Sequence, residues 1–545
     1  MRLYHWSRLS LLALLLALMP ALLAGCTPPQ VSQGEMTVDI SADGKQYQVR
    51  IPAGSTVLDA LTAAGVTMNA LDHSEPPDYT VLSDGSQVKV VRVREEFYIE
   101  QVVIAFEHQT LRNESLPAGE TRLSQPGVEG LQEVTYRRVY ENEVEVSVSA
   151  VSTVVVREPV PEIVMLGSQT PFASQPIPGR MAYLSAGNAW VMEVSTGNRR
   201  PVVTTGDLDG QVFELSQDGK WLLFTRRGEA ETTINTLWTV LLDQDDGQLV
   251  DLQAANIVHF AGWAPGLSMV AYSTVEQRST APGWQANNDL YTVGVRETGY
   301  LMPVMERLEA NSGGVYGWWG MDFTWSNDGI RLAYARPDGV GLFDTRAEAL
   351  TPLYDLIPFQ TGSDWAWVPG VTWAPDNRVI YTVDHVAPAG SAAPEQSTRF
   401  DLLAIPLEGG APLRLVSDVG MFAYPSPSPL QNPIVQVGSD EGGPLLENVY
   451  QVAYLQAIFP AQSNTSRYRL VVMDRDGSNR RVLFPDEGAP GLDPQQVVWS
   501  PGPVGEAGGY RIVLLYQGNI WMVNLTDGEA QQITGDGLAV SVDWK

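Results

Sequence analysis

One short pattern recurs along the chain after residue 180 and constrains the fold more than anything else in it. A complete copy reads Phe213-Glu214-Leu215-Ser216-Gln217-Asp218-Gly219-Lys220-Trp221-Leu222-Leu223-Phe224, followed by Asn235-Thr236-Leu237-Trp238-Thr239-Val240. Variants are Gly262-Trp263-Ala264-Pro265-Gly266, Thr324-Trp325-Ser326-Asn327-Asp328-Gly329, Thr372-Trp373-Ala374-Pro375-Asp376 and Val498-Trp499-Ser500-Pro501, each followed by apolar runs that end in an aromatic. A degenerate copy is Phe422-Ala423-Tyr424-Pro425-Ser426-Pro427, with Tyr468-Arg469-Leu470-Val471-Val472-Met473 as a later strand of the same unit. Each copy reads as strand, tight turn, strand, polar hairpin, strand and a short outer strand. Four such short strands cannot bury both faces alone, so the units must stack face to face. The aromatics before and after the turn are placed to fill the space between neighbouring sheets.

Both ends of this region carry partial copies. Val540-Ser541-Val542-Asp543-Trp544-Lys545 is a first strand with its tryptophan, and Met181–Met192 is a unit lacking its first strand. Joining them completes one mixed unit, so the expected architecture is a closed β-propeller of seven blades, or six if the degenerate copy near Tyr424 is an insertion. The pattern resembles the W-S-P-D-G repeat of TolB-type propellers, which implies a mainly β domain over residues 180–545.

Residues 36–95 read as a small α+β unit. Met36–Ile40 alternates, turns at Asp43-Gly44 and returns as Gln46–Ile51. Ser55 is the expected cap of a helix over Thr56–Ala64, closed by Gly65, and a last strand follows Asp84-Gly85. The ββαβ order, with I-P-A-G-S-T-V-L-D-A-L and L-S-D-G, resembles the ubiquitin-like domain that precedes the five-glycine (G-five) domain in resuscitation-promoting factors and related cell-wall proteins. Residues 96–168 strengthen that resemblance. Tyr98–Ile104, Thr135–Tyr140 and Val144–Val156 alternate, and Gly119, Gly127, Gly130 and Gly167 match the family's turn glycines. The middle hairpin departs from the pattern, with Glu141-Asn142-Glu143 where the family has Asn-Gly. The resemblance implies contact with N-acetylglucosamine-containing polymers such as peptidoglycan; the residues alone fit a stiff β-spacer equally well. Residues 169–179 are expected to be a Pro-rich linker.

The N-terminus points to export. Arg2 and Arg8 precede an apolar run, Leu11 to Leu23, of about thirteen residues, short of the roughly twenty that a membrane span needs. Leu23-Ala24-Gly25-Cys26 resembles a bacterial lipobox. That implies a signal peptide over residues 1–25, lipidation of Cys26, a polar tether over 26–35 and a membrane held through acyl chains. Cys26 is the only cysteine in 545 residues, which excludes structural disulfides and Cys-based zinc sites. With 34 Lys+Arg against 63 Asp+Glu, the net charge of −29 argues against nucleic acid as a partner.

Catalytic motifs are scarce. Gly438-Ser439-Asp440-Glu441-Gly442 places its serine one position early for a nucleophile elbow, and no Walker loop or H-E-x-x-H occurs. Asp474–Asn479 and Asp243–Gly247 resemble calcium loops but lack the distal glutamate and fit hairpin turns. The expectation is therefore no cofactor and no metal. The sharper feature is aromatic: Trp318 and Trp319, and Trp365 and Trp367, each lie just before a first strand, with Trp284 in a long preceding hairpin. Connections at that place surround the central channel of a propeller. These five tryptophans are the expected ligand-binding residues, since their faces suit sugar rings or apolar peptide segments. The favoured function is an extracytoplasmic, lipid-anchored, non-catalytic binding protein, its N-terminal part contacting cell-wall glycan and its propeller recognising an envelope protein or glycan. The alternative is a propeller-type polysaccharide lyase or hydrolase using His259 or His385, both placed near inner strands, with a metal in the channel.

Overall fold

A computed structural model describes residues 34–113, 116–168, 172–243, 247–431, 449–505 and 508–545. Cys26, with the leader and most of the tether, lies outside the described residues, as does Gly438–Gly442. The chain divides into two compact units: residues 1–110 with 123–164, and residues 111–122 with 165–545.

In the first unit, β1 (Glu35–Ala42) and β2 (Lys45–Pro52) form a hairpin in continuous register around Asp43 and Gly44, both at positive φ. Helix α1 (Val57–Ala63) follows. Its N-cap is Thr56, one residue later than the sequence suggests, because Asp59 completes a capping box with Thr56 while the Ser55 hydroxyl turns back to Pro52 O. Strands β3 (His73–Glu75) and β4 (Gln87–Val91) complete a sheet of order β2-β1-β4-β3 over a core that includes Val38, Ile40, Val57, Leu61 and Val88.

A different kind of sheet comes next. Strands β5 (Val93–Ile104), β8 (Gly130–Glu141) and β9 (Val144–Arg157) form a long antiparallel ribbon of order β5-β8-β9, and every residue of β9 is exposed. Strands β6 (His108–Asn113), β7 (Thr121–Gln125) and β10 (Glu162–Gly167) form a further sheet of order β6-β10-β7. The start of the ribbon is fixed to the ubiquitin-like fold through Arg92. Its guanidinium bonds both carboxylate oxygens of Asp43, and also Asp72 and Thr67 O, all within 2.8 Å.

The matched glycines of this region work mainly by close approach. A Cβ on Gly167 would meet Pro117 O at 1.9 Å, one on Gly127 the Phe106 ring at 2.3 Å, and one on Gly130 the Pro159 N at 2.7 Å; of the four only Gly119 has positive φ. The missing hairpin glycine is replaced by two strained residues, Asn142 (φ 48) and Glu143 (φ 67).

The second unit is a propeller. Among the described residues, six four-stranded antiparallel meanders follow one another over 208–255, 261–308, 322–355, 371–416, 426–484 and 498–532. A seventh, three-stranded sheet pairs β11 (Pro176–Ser185) with β12 (Asn188–Val203) on one side and with the last strand, Ala539–Trp544, on the other. The degenerate copy near Tyr424 forms a meander like the others. The supposed linker is partly built in: Thr196 N bonds Gln175 O, Ile177 is buried, and Pro178 O accepts the Trp544 indole.

The repeat explains itself in this geometry. Ser216 donates to Asp218 across the turn and accepts from Trp221 N; Ser326, Asp328 and Arg331 N repeat the arrangement. Tryptophans from the first two strands of a meander pack between blades. Trp221 and Trp263 lie 6.2 Å apart across one boundary, while Trp373 and Trp499 donate their indole N–H to Thr324 O and Ser426 O of the preceding blade. Apolar clusters cross each blade boundary, so the sheets bury in each other what none buries alone.

Candidate ligand-binding site

At the start of the third meander, three rings meet. Trp284 comes from a two-stranded insertion, Val275–Gln277 with Trp284–Ala286, in the second meander. Trp319 closes a 3₁₀ turn, Gly317–Trp319, in the connection to the third. The Trp284 and Trp319 centroids are 6.5 Å apart with perpendicular planes, and His259 stands edge-on to Trp284 at 4.8 Å.

Asparagines hold this loop in place. Asn288, buried at positive φ, donates to Gly317 O (2.8 Å) and Asn311 O (3.2 Å), and Asn311 returns a bond to Asn288 O. Tip residues remain outside, with Val315 90% and Trp318 38% exposed.

Polar groups sit beneath the rings. His259 Nδ1 lies 3.5 Å from Asp322, whose side chain is 45% exposed. His259 Nε2 is buried without a hydrogen-bond partner and faces Gly320, where a Cβ would lie 2.4 Å away. Tyr424, of the degenerate copy, packs against Gly370 and Phe422; burial pushes its hydroxyl up to about 12, and the charge of Asp322 adds to the shift. Asp322, Tyr424 and Asn288 were not singled out by the sequence. A usable signal existed for two of them, because Asp322 opens the third inner strand and Tyr424 holds the matching place in the degenerate copy.

The five expected tryptophans do not converge. Trp284 and Trp319 touch, and Trp318 is exposed on the same loop. Trp365 packs partly against the core between the fourth and fifth meanders. Trp367 offers no face to a ligand: it is 2% exposed and donates its indole N–H to Met421 O. It is a core residue because the loop before the fourth meander folds back over Phe400.

The histidines also part company. His385 lies on the second strand of the fourth meander, the strand that pairs with the inner one, and is 1% exposed. Its two ring nitrogens contact Ile357 O and Ser397 O at 2.8 and 2.7 Å, and its ring stacks on Phe400. Backbone carbonyl oxygens from two loops cover both nitrogens, so neither is open to a metal. Among the described residues no group of three or more His, Cys, Asp or Glu is arranged to hold a metal ion. The Asp474–Asn479 motif is a turn, in which Asp476 accepts from Ser478 and Asn479 donates to Asp474. The Asp243–Gly247 motif falls largely outside the described residues.

A second aromatic array runs along one face of the β5-β8-β9 ribbon. Tyr98 and Tyr136 stack at 5.3 Å, Arg138 covers Tyr98 at 4.8 Å and Arg94 covers Tyr140 at 4.2 Å. On a sheet without a second layer these pairs replace core packing. Nothing in the sequence patterns singled them out.

Comparison with known proteins places the N-terminal region. Residues 84–169 match the G5 domain and residues 38–76 the G5-linked ubiquitin-like domain. The chain therefore carries both domains ahead of its propeller, and the G5 match begins before the boundary expected from sequence. Resuscitation-promoting factor RpfB of Mycolicibacterium smegmatis is 29% identical over 181 residues, 32% of this chain and 49% of that protein. The chain thus spans about half the length of this relative. Among solved structures, the G5 domain of IgA1 protease is 28% identical over 15% of this chain and 94% of its own (TM-score 0.12). The β-propeller domain of the Trilobed protease from Pyrococcus furiosus is 10% identical over 71% of this chain and 100% of its own (TM-score 0.33).

Proposed function

We propose that the protein is a binding component of the bacterial cell envelope, held at the membrane by a lipid on Cys26. Its G5 region contacts cell-wall glycan and its propeller recognises a ligand at the Trp284–Trp319 cluster. The cluster carries the propeller half of this reading: perpendicular indoles at 6.5 Å, beside the exposed Trp318 and a half-exposed carboxylate, suit a sugar ring or an apolar peptide segment. The likeness to a resuscitation-promoting factor over the G5 region supports the envelope location. The alternative of a channel-metal enzyme gains no support from His385, whose nitrogens are engaged, or from His259, which is sealed by Gly320.

Sedimentation with purified peptidoglycan tests the glycan half. The full chain is expected to co-sediment, and a variant lacking residues 36–168 is expected to stay in solution; retention by the deletion variant would remove the G5 region from glycan contact. Capture of envelope material by the propeller is expected to fall at least tenfold in Trp319→Ala and to be unchanged in Trp365→Phe. Cys26→Ser is expected to release the protein from the membrane fraction.

A further inference from the structure

The two edges of the β5-β8-β9 ribbon are built differently. Along β9 the register with β8 shifts three times, skipping Val146, Val151 and Val156. Such bulges twist an edge strand away from flat pairing and stop another strand from adding to it. Along β5 there is none. Twelve successive residues, Val93 to Ile104, pair with Glu141 to Gly130 without a shift, and the strand contains no Pro or Gly. Its outer edge is the open one, and Phe97 (60%), Ile99 (64%) and Val103 (55%) stand exposed along it.

We propose that this edge pairs with the same edge of a second copy, antiparallel and centred on Phe97. A two-fold axis normal to a sheet keeps its faces aligned, so only registers that place one residue opposite itself are allowed. Charge then chooses among them. Centred on Phe97, Arg94 faces Glu100 of the other copy at both ends, and no like charges meet. A one-residue move to Tyr98 sets Glu96 opposite Glu100 twice, and a move to Glu96 sets that glutamate against itself. Centring on Ile99 avoids repulsion but places both arginines opposite Ile104. Opposite charges across strands stabilise a pairing and like charges oppose it. The self-complementary order of Arg94 and Glu100 about Phe97 favours a second copy over a foreign strand.

The test uses the full chain carrying Cys26→Ser, so that each introduced thiol is the only one. Oxidation of Phe97→Cys is expected to give a disulfide-linked dimer at least five times more abundant than that from Ile99→Cys or from Val154→Cys on the bulged edge. Without cross-linking, Arg94→Glu is expected to weaken dimerisation about tenfold in sedimentation, and Arg94→Glu with Glu100→Arg to restore it. Equal cross-linking at Ile99 or Val154, absence of a dimer in Phe97→Cys, or no rescue by the charge swap would overturn the proposal. Circular dichroism of each variant separates these outcomes from misfolding.

Discussion

Strand β9 and the second strand of the first propeller meander, Trp221–Arg227, are both rich in residues that favour strands, yet they live in opposite surroundings. All fourteen residues of β9 are exposed, whereas Trp221 to Thr225 are buried without interruption. The propeller strand is stabilised by what lies above and below it; the ribbon strand has neighbours only at its sides. The ribbon therefore depends on cross-strand pairs such as Tyr98–Tyr136 and on turn geometry, and the propeller on dense packing between sheets. Strand propensity alone is silent about which of these a segment will enter.

Mutations should expose this difference. Phe224→Ala, at a side chain with no exposure, is expected to cost about 3–5 kcal/mol and to lower the propeller's melting transition. A comparable loss from an exposed ribbon valine would break the distinction. Next in size is Glu214→Gln. Glu214 lies on the first inner strand near Asp543 and Lys545, and burial pushes its carboxyl up to about 8 from 4.5, with Lys545 opposing the shift. The folded state thus holds this proton more tightly than the unfolded chain. The resulting stability is fully present below about pH 4.5 and is lost as pH rises toward 8. The glutamine variant is expected to be about 1–3 kcal/mol more stable than the parent at pH 9 and little different at pH 4, read from melting curves across pH. Smaller again, Glu143→Gly is expected to stabilise the ribbon by about 1 kcal/mol, since it relieves a non-glycine residue at φ 67; hydrogen exchange of β8 and β9 would show it. Ile99→Thr should change folding stability by less than about 0.5 kcal/mol in the monomer, which marks how little ribbon stability comes from apolar burial.

Most of the propeller was legible because its repeat is a local code. Ser216, Asp218 and Gly219 specify a turn, the next residues a strand, and the tryptophans an interface. The β1–β2 hairpin was legible for the same reason, through Asp43-Gly44. What escaped depended on long-range packing. Trp365 and Trp367 share one loop and differ by two positions, yet only the second inserts into the core and bonds Met421. His385 follows an inner strand closely in sequence, yet its place on the second strand buries it among backbone carbonyls. The N-cap was displaced by one residue because Thr56, not Ser55, has an acidic partner three residues on. Around the site, the indoles were readable and Asp322 and Asn288 were not, since they come from separate meanders whose packing no local pattern states.

That closure also sets an order of events in time. Trp544 bonds Pro178 across 366 residues and Asp536 bonds Ser185 across 351, whereas among the described residues every other meander pairs only strands adjacent in sequence or separated by the short inserted hairpin. Six sheets can form as each stretch of chain emerges, but the seventh waits for the last strand, with one edge of β11 lacking its neighbour until then. During synthesis or passage across a membrane, β11 presents an open edge for nearly the whole emergence of the propeller. The period in which this chain is most exposed to mispairing is therefore set by its length and the speed of its delivery.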